Sequence, residues 1–162
     1  MAVTYLKKAE KNATTGEDNT RQIVSTMLKE IEEGGEARCT EYAKQLDNYD
    51  GNIVVTPEEI EEAGKQISQQ VKDDIRFAYD RVHGFAVKQR ESLIDFETEL
   101  SPGLWAGQKQ IPMQAAGCYI PGGRYAHVAS AVMSVATAKA AGVDHVIACS
   151  PPKADVGCHP GI

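Results

Sequence analysis

The chain has 162 residues, of which 42% are hydrophobic and 25% are charged, and its formal net charge at pH 7 is −6. This balance is typical of a globular domain with its own core, and it excludes a chain that is disordered throughout. Because the chain is acidic and has no basic run, it lacks an electrostatic surface for nucleic acid or for an anionic membrane, and we expect neither as a partner.

The cysteine pattern and the N-terminal residues indicate the compartment. The chain contains four cysteines, which are widely spaced and form no CxxC pair. No apolar run is long enough to cross a bilayer, and the first twenty residues lack the apolar core of a secretory signal. We therefore expect reduced thiols and a cytoplasmic location.

The first part of the chain, residues 1–92, has the pattern of a helical region. Ile23, Met27 and Ile31 recur every four residues among charged residues, which predicts one amphipathic helix. Gly34-Gly35 should end this helix, since glycine accepts the left-handed conformation at a helix C-terminus. A second short helix is expected over 36–45.

Two further helices are predicted after a turn at 47–52. Thr56-Pro57-Glu58-Glu59 combines an N-cap hydroxyl, a proline at the first helical position and a glutamate at the third, which is a capping box. The next helix is expected over 68–90. Its predicted inward residues are Val71, Ile75, Ala78, Val82 and Phe85.

The second part of the chain, residues 93–162, has the pattern of strands. Apolar and polar residues alternate from Leu93 to Leu100, which predicts a half-buried strand. Ser101-Pro102-Gly103 is a turn sequence, and 104–111 is expected to return as the second strand of a hairpin.

The last third of the chain predicts one βαβ unit. Short apolar runs at 116–120 and 144–150 flank a glycine loop and a helix of small residues over 126–141. Continuous apolar strands are typical of a parallel sheet that is buried on both faces, with a right-handed crossover. The fold class is therefore α/β, with N-terminal helices followed by the start of a parallel sheet.

The loop after the first strand of this unit is the best candidate site. Tyr119, Gly122, Gly123 and Arg124 lie where ligands bind in α/β sheets, at the carboxyl end of a parallel strand. Glycines allow a ligand to approach the backbone, and the following helix N-terminus favours an anion. Tyr119 could stack on a nucleotide or hydrogen-bond to it. A plain tight turn explains the same residues, and the GxGxxG fingerprint is absent.

The remaining candidate residues give weaker evidence of a particular chemical role. Arg124 could pair with an anion or be simply exposed, and His127 could act in acid–base chemistry, cap the following helix or face solvent. Cys118 and Cys149 are expected to be buried, inert thiols. Cys158 is followed directly by a histidine, but no second ligand pair lies nearby, so we expect no metal site there. The residues alone assign no catalytic set.

The segment at 112–152 resembles a known family. It reads PMQAAGCYIPGGRYAHVASAVMSVATAKAAGVDHVIACSPP. The Tyr-Ile-Pro-Gly-Gly loop, the Ser-x-x-Met helix, the Ala-Gly-Val turn and the strand ending in Ser-Pro-Pro are similar to those of histidinol dehydrogenases. The Gly-Gly-Glu-Ala turn at 34–37 and the Ser-Pro-Gly turn at 101–103 also resemble that family.

The resemblance implies an incomplete Rossmann-like fold akin to that of aldehyde dehydrogenases. It implies a cytoplasmic homodimer that oxidises a small primary alcohol through the aldehyde to the carboxylate, using two NAD molecules in succession and a zinc ion. The tyrosine of the loop, here Tyr119, contacts NAD in the family, and Gly122 and Gly123 are carried over as its neighbours. The zinc ligands and the catalytic pair are expected beyond Ile162. We therefore expect a truncated chain that is inactive alone.

The resemblance also bears on the substrate. The stretch SPGLWAGQKQIPMQAAGCYIPGGRYAHVAS, at 101–130, looks closest to the sulfopropanediol dehydrogenase branch, which converts (R)-2,3-dihydroxypropane-1-sulfonate to (R)-sulfolactate. Lys109 and Arg124 are compatible with an anionic sulfonate but do not determine which substrate is used. The alternatives are oxidation of L-histidinol to L-histidine and, in another class, a non-catalytic binding or assembly module.

Overall fold

The computed structural model describes residues 17–122, 125–152 and 157–162. The elements, in chain order, are α1 (Glu17–Asp47), α2 (Pro57–Gln66), α3 (Gln69–Glu91), β1 (Phe96–Ser101), β2 (Leu104–Gln108), β3 (Ala115–Tyr119), α4 (Val128–Ala140) and β4 (His145–Cys149). Strands β1 and β2 form an antiparallel hairpin, while β3 and β4 form a separate parallel pair. The α/β class, the hairpin and the βαβ unit are confirmed.

Helix α1 consists of two helical segments that meet at a kink. Gly35 has non-helical dihedrals, φ 59° and ψ −144°, inside the range of the helix. The predicted break at Gly34-Gly35 is therefore confirmed, and the second segment runs to Asp47 rather than to Gln45. Asn48 follows in the left-handed region, with φ 53°, as expected for a residue type that tolerates this conformation.

A polar cluster of side chains spans the kink in α1. Arg38 Nε donates a hydrogen bond to Glu30 Oε2 at 3.0 Å, and the Arg38 guanidinium also bonds to Glu41. The Tyr42 hydroxyl donates to the same Glu30 oxygen at 2.5 Å, and the guanidinium lies over the Tyr42 ring. The Tyr42 hydrogen bond and then the Arg38 hydrogen bond lower the pKa of Glu30, because both stabilise its carboxylate.

The capping box that starts α2 is present as predicted. Glu59 N donates to Thr56 Oγ1 at 3.2 Å, and Thr56 N donates to Glu59 Oε2 at 2.7 Å. Two residues separate α2 from α3, and the second of them, Ser68, is the N-cap of α3. None of the described helices is both long enough and apolar enough to cross a membrane.

The core is small and built from small residues. Helix α4 packs on α3 on one side and on the β3–β4 sheet on the other. The buried apolar residues of the described chain are Ala86, Cys118, Ile120, Val132, Ala136, Ala140 and Val143. Alanines at this contact let two helices and a sheet approach closely.

The inward face of α3 differs in part from the prediction. Ala86 is buried, whereas Phe85 is 68% exposed and Val71 is 40% exposed. The prediction that Phe85 and Val71 point inward is wrong for this chain, because α4 contacts α3 through the stripe that contains Ala86. Adjacent helical positions point about 100° apart, so only one of Phe85 and Ala86 can face α4.

Other elements bury less of the two sheets than the sequence predicts. Every residue of β1 and β2 is exposed, so the expectation of a half-buried first strand is wrong. The expectation of a parallel sheet buried on both faces is also wrong, because α4 covers one face and the other is open. Cys118 is buried as predicted, but Cys149 is exposed, because it lies on the open face.

The turn after α4 is held against the end of α3. Arg90 Nη1 donates a hydrogen bond to the carbonyl of Ala140 at 3.2 Å. Gly142 has φ 87°, and a Cβ placed on it would lie 3.1 Å from Arg90 Nη1 and 3.2 Å from Pro112 Cγ. Both the backbone conformation and the crowding require glycine here.

We predict that Gly142→Ala destabilises the protein by about 1–2 kcal/mol, because alanine resists a positive φ. Displacement of Arg90 adds to this loss. The matched control is Gly64→Ala inside α2, where an added Cβ meets no atom within 4 Å. That change should stabilise by about 0.5–1 kcal/mol. Urea denaturation measures both, and equal effects of the two variants would contradict the assignment.

We also predict that the Glu30 cluster stabilises α1 in a pH-dependent way. Because the folded pKa of Glu30 is lowered, its contribution is present above the ordinary glutamate pKa. That contribution is lost as the pH falls through the lowered value. Glu30→Gln should therefore reduce the melting temperature at pH 7, and the reduction should shrink as the pH is lowered below the ordinary glutamate pKa. Glu33→Gln, on the exposed surface of α1, is the control. A Glu30→Gln effect that does not change with pH would contradict the cluster's role.

Candidate functional site

The parallel register of β3 and β4 brings two loops together. Ala115 pairs with His145 and Tyr119 pairs with Cys149, so the two strands end at the same level. Ile120 N donates to the carbonyl of Cys149 at 2.8 Å, which extends the pairing one residue beyond β3. The segments that follow the two strands therefore begin side by side, at the edge of the sheet where ligands bind in α/β folds.

Tyr119 lies on the open face of this sheet, at its carboxyl edge. Its neighbours in the chain, Cys118 and Ile120, are 6% and 0% exposed, whereas Tyr119 is 64% exposed. The pleat of a strand forces this alternation, since successive side chains point to opposite faces. With Cys118 and Ile120 in the core, the Tyr119 ring has to face outward, where it is free to stack on a planar ligand.

Gly122 lies where the two loops touch. A Cβ placed on Gly122 would be 3.2 Å from Pro151 Cδ, 3.3 Å from Pro151 O and 3.4 Å from Ser150 Oγ. The absent side chain therefore lets the loop after β3 pack closely on the segment after β4. The sequence suggested a different use for this glycine, the close approach of a ligand to the backbone. The other two residues predicted for this loop, Gly123 and Arg124, lie outside the described residues.

Ser150 is a feature of the site that the sequence reasoning missed. Its hydroxyl oxygen is buried, and no described residue provides it with a hydrogen-bond partner. A signal was present in the sequence, since Ser150 precedes two prolines. Prolines have no N–H, so the backbone at positions 151 and 152 cannot donate a hydrogen bond to the serine oxygen.

Helix α4 begins without a side-chain cap from its N-cap residue. His127 is the N-cap residue, with φ −88° and ψ 64°, and its side chain makes no capping hydrogen bond. Its imidazole is exposed and does not cap the helix. Of the two structural expectations for His127, solvent exposure is therefore confirmed and capping is wrong. A helix N-terminus without a side-chain cap retains amide N–H groups for an anion.

The described residues do not fit a zinc ion. They contain no group of three or more His, Cys, Asp or Glu side chains arranged to hold a metal. His159 Nδ1 accepts a hydrogen bond from Gly161 N at 3.1 Å, and the neighbouring Cys158 thiol contacts the His159 carbonyl. Burial raises the pKa of Cys158, which disfavours the thiolate that would bind a metal.

Lys109 lies in an open groove of the hairpin. Asp95 and Glu97 line the same groove. Their two carboxylates offset the lysine charge, so the groove has no net positive charge for a sulfonate. Lys109 therefore gives no support to an anionic substrate.

The elements define a class of protein, an α/β protein in which N-terminal helices and a hairpin precede a parallel βαβ unit. The chain belongs to the histidinol dehydrogenase family, whose model, described as "Histidinol dehydrogenase", matches residues 10–162. This finding confirms the family resemblance seen in the sequence.

Individual relatives agree with this assignment. The chain is 56% identical to a "Histidinol dehydrogenase homolog" of Pelagibacter ubique, over 100% of this chain and 38% of that protein. It is 48% identical to the "Sulfopropanediol 3-dehydrogenase" of Ruegeria pomeroyi, over 100% of this chain and 37% of that protein.

A solved structure supports the fold. The crystal structure of histidinol dehydrogenase from Elizabethkingia anophelis superimposes with a TM-score of 0.77 and 23% sequence identity. The match covers 98% of this chain and 34% of that one. The chain therefore spans less than two fifths of the length of the relatives that it matches.

Proposed function

We propose that this chain is the N-terminal part of an NAD- and zinc-dependent dehydrogenase that oxidises a primary alcohol through the aldehyde to the carboxylate. The observation that carries the proposal is the position of Tyr119. It is exposed at the shared carboxyl edge of β3 and β4, next to a glycine loop and an uncapped helix N-terminus, in a chain of the histidinol dehydrogenase family. In this proposal Tyr119, Gly122 and Gly123 bind NAD.

Each of these residues has a distinct part in cofactor binding. Tyr119 offers its ring to a planar group, and Gly122 holds the loop after β3 close to the end of β4. NAD held by these residues would supply the hydride acceptor for both oxidations, with two molecules used in succession, so that alcohol, water and 2 NAD⁺ would give carboxylate, 2 NADH and 3 H⁺. Zinc is held by residues outside this chain, and the chain alone is inactive.

We propose (R)-2,3-dihydroxypropane-1-sulfonate as the substrate and (R)-sulfolactate as the product. Support comes from the 48% identity with a relative named for sulfopropanediol, against 36% for a relative named histidinol dehydrogenase. Oxidation of L-histidinol to L-histidine is the alternative.

The proposal includes a cytoplasmic homodimer with a small-molecule substrate and without nucleic acid or membrane as a partner. Residues 1–92 form the helical N-terminal region, and 93–162 form the hairpin and the first βαβ unit of the nucleotide-binding domain. Exposed apolar residues support a partner surface. Leu28 is 62% exposed on α1 and Trp105 is 57% exposed on the hairpin, and neither element packs on another described helix or strand.

We predict that the full-length protein produces NADH from the sulfonate diol, and that chelation of zinc abolishes this activity. The measurement is absorbance at the NADH band with the sulfonate diol and L-histidinol as parallel substrates. Activity with histidinol alone would favour the alternative substrate. No activity with either substrate, while zinc is bound, would contradict the dehydrogenase proposal.

We predict that Tyr119→Ala raises the apparent KM for NAD about tenfold, the loss expected when a base no longer stacks on an aromatic ring. The zinc content should not change. The matched control is Tyr79→Ala on α3, where the tyrosine ring stacks on His83 rather than lying at the sheet edge. Steady-state kinetics with varied NAD compares the two variants. Unchanged cofactor kinetics in Tyr119→Ala would remove Tyr119 from the site.

A further inference from the structure

The last described segment of the chain, residues 157–162, packs on other parts of the molecule near both of its ends. A Cβ placed on Gly157 would lie 3.0 Å from Tyr49 Oη, in the loop between α1 and α2. A Cβ placed on Gly161 would lie 3.3 Å from Val128 Cγ2, at the start of α4. Close contacts at both glycines therefore fix the position of the turn between them.

This turn lies at the same edge of the sheet as Tyr119. In a βαβ unit the crossover helix begins beyond the carboxyl end of the first strand and returns along the sheet. Val128 is the first residue of that helix, and the turn packs on its side chain. Residues that follow β4 therefore lie beside the residues that follow β3, at the edge where both strands end.

The turn carries one imidazole, that of His159. Its Nδ1 accepts a hydrogen bond from Gly161 N at 3.1 Å, and Ile162 N donates to the His159 carbonyl at 2.9 Å. A neutral imidazole that accepts at Nδ1 carries its proton on Nε2. No described residue bonds to Nε2, and the residue is half-buried. The turn therefore orients the ring and leaves one N–H donor for a ligand.

We propose that His159 binds an oxyanion at this edge of the sheet through its Nε2–H. The inference rests on the proposed function, whose ligands carry two such groups, the pyrophosphate of NAD and the sulfonate of (R)-2,3-dihydroxypropane-1-sulfonate. Oxygens of both groups accept hydrogen bonds, and a bond to a charged acceptor is roughly twice as strong as one between neutral groups. His159 is a binding residue in this proposal and takes no part in hydride transfer.

Two substitutions separate ligand binding from the structural role of the ring. His159→Asn keeps an acceptor for Gly161 N, because an asparagine side chain bonds to the backbone N–H two residues on, and it removes the donor at Nε2. It should raise one KM about tenfold at an unchanged melting temperature, with kcat largely kept. His159→Gln keeps a donor of similar reach but loses the bond within the turn. It should melt at a lower temperature and keep both KM values close to those of the wild type.

The test uses the full-length protein, with steady-state kinetics in which NAD and the alcohol are varied in turn. A higher KM for NAD assigns the pyrophosphate as the oxyanion, and a higher KM for the sulfonate diol assigns the sulfonate. The matched control is His145→Asn at the start of β4, where an exposed histidine lies at the opposite edge of the same sheet. That variant should leave both KM values unchanged.

The outcomes separate this inference from the proposed function. If the wild type reduces NAD with neither alcohol while zinc is bound, both fail. If Tyr119→Ala raises the KM for NAD and His159→Asn changes neither KM, only the role of His159 is overturned. A KM that follows the loss of melting temperature in the two His159 variants also overturns it, because the ring would then only hold the turn. A higher KM in His159→Asn than in His159→Gln supports it.

Discussion

The parallel pairing of β3 with β4 is the constraint on which the candidate site depends. Parallel strands need a crossover, and α4 supplies it while covering one face of the pair. Both strands then end at one edge, and the bond from Ile120 N to the carbonyl of Cys149 keeps them together one residue further. Because Ile120 is fully buried, the pleat directs Tyr119 to the open face.

The same packing explains why so much of the chain is exposed. Contacts through Ala86, Ala136 and Ala140 bring α3, α4 and the sheet close together, but they bury little apolar area. Helix α1, helix α2 and the hairpin pack on no other described helix or strand. The relatives continue well beyond the length that this chain spans, and a family protein of that length has further chain with which to cover such faces.

The site also shows where stability and function diverge. Gly122 is needed for the packing of two loops, whereas the Ser150 hydroxyl has no hydrogen-bond partner among the described residues and α4 begins without a side-chain cap from His127. Binding sites commonly depart from ideal local rules in this way. The geometry shows how the loops after β3 and β4 come together at one edge of the sheet.

Local signals in the sequence predicted most of the elements. Four features could be predicted from the sequence because each depends on residues near one another in the chain. They are the capping box at Thr56, the break at Gly35, the hairpin and the βαβ unit. Tertiary structure decided which faces are covered. Phe85 and Cys149 are exposed because α4 covers other surfaces, and the burial of Ser150 depends on a loop about thirty residues away. Burial depends on which surfaces meet, and no local pattern in the chain encodes that.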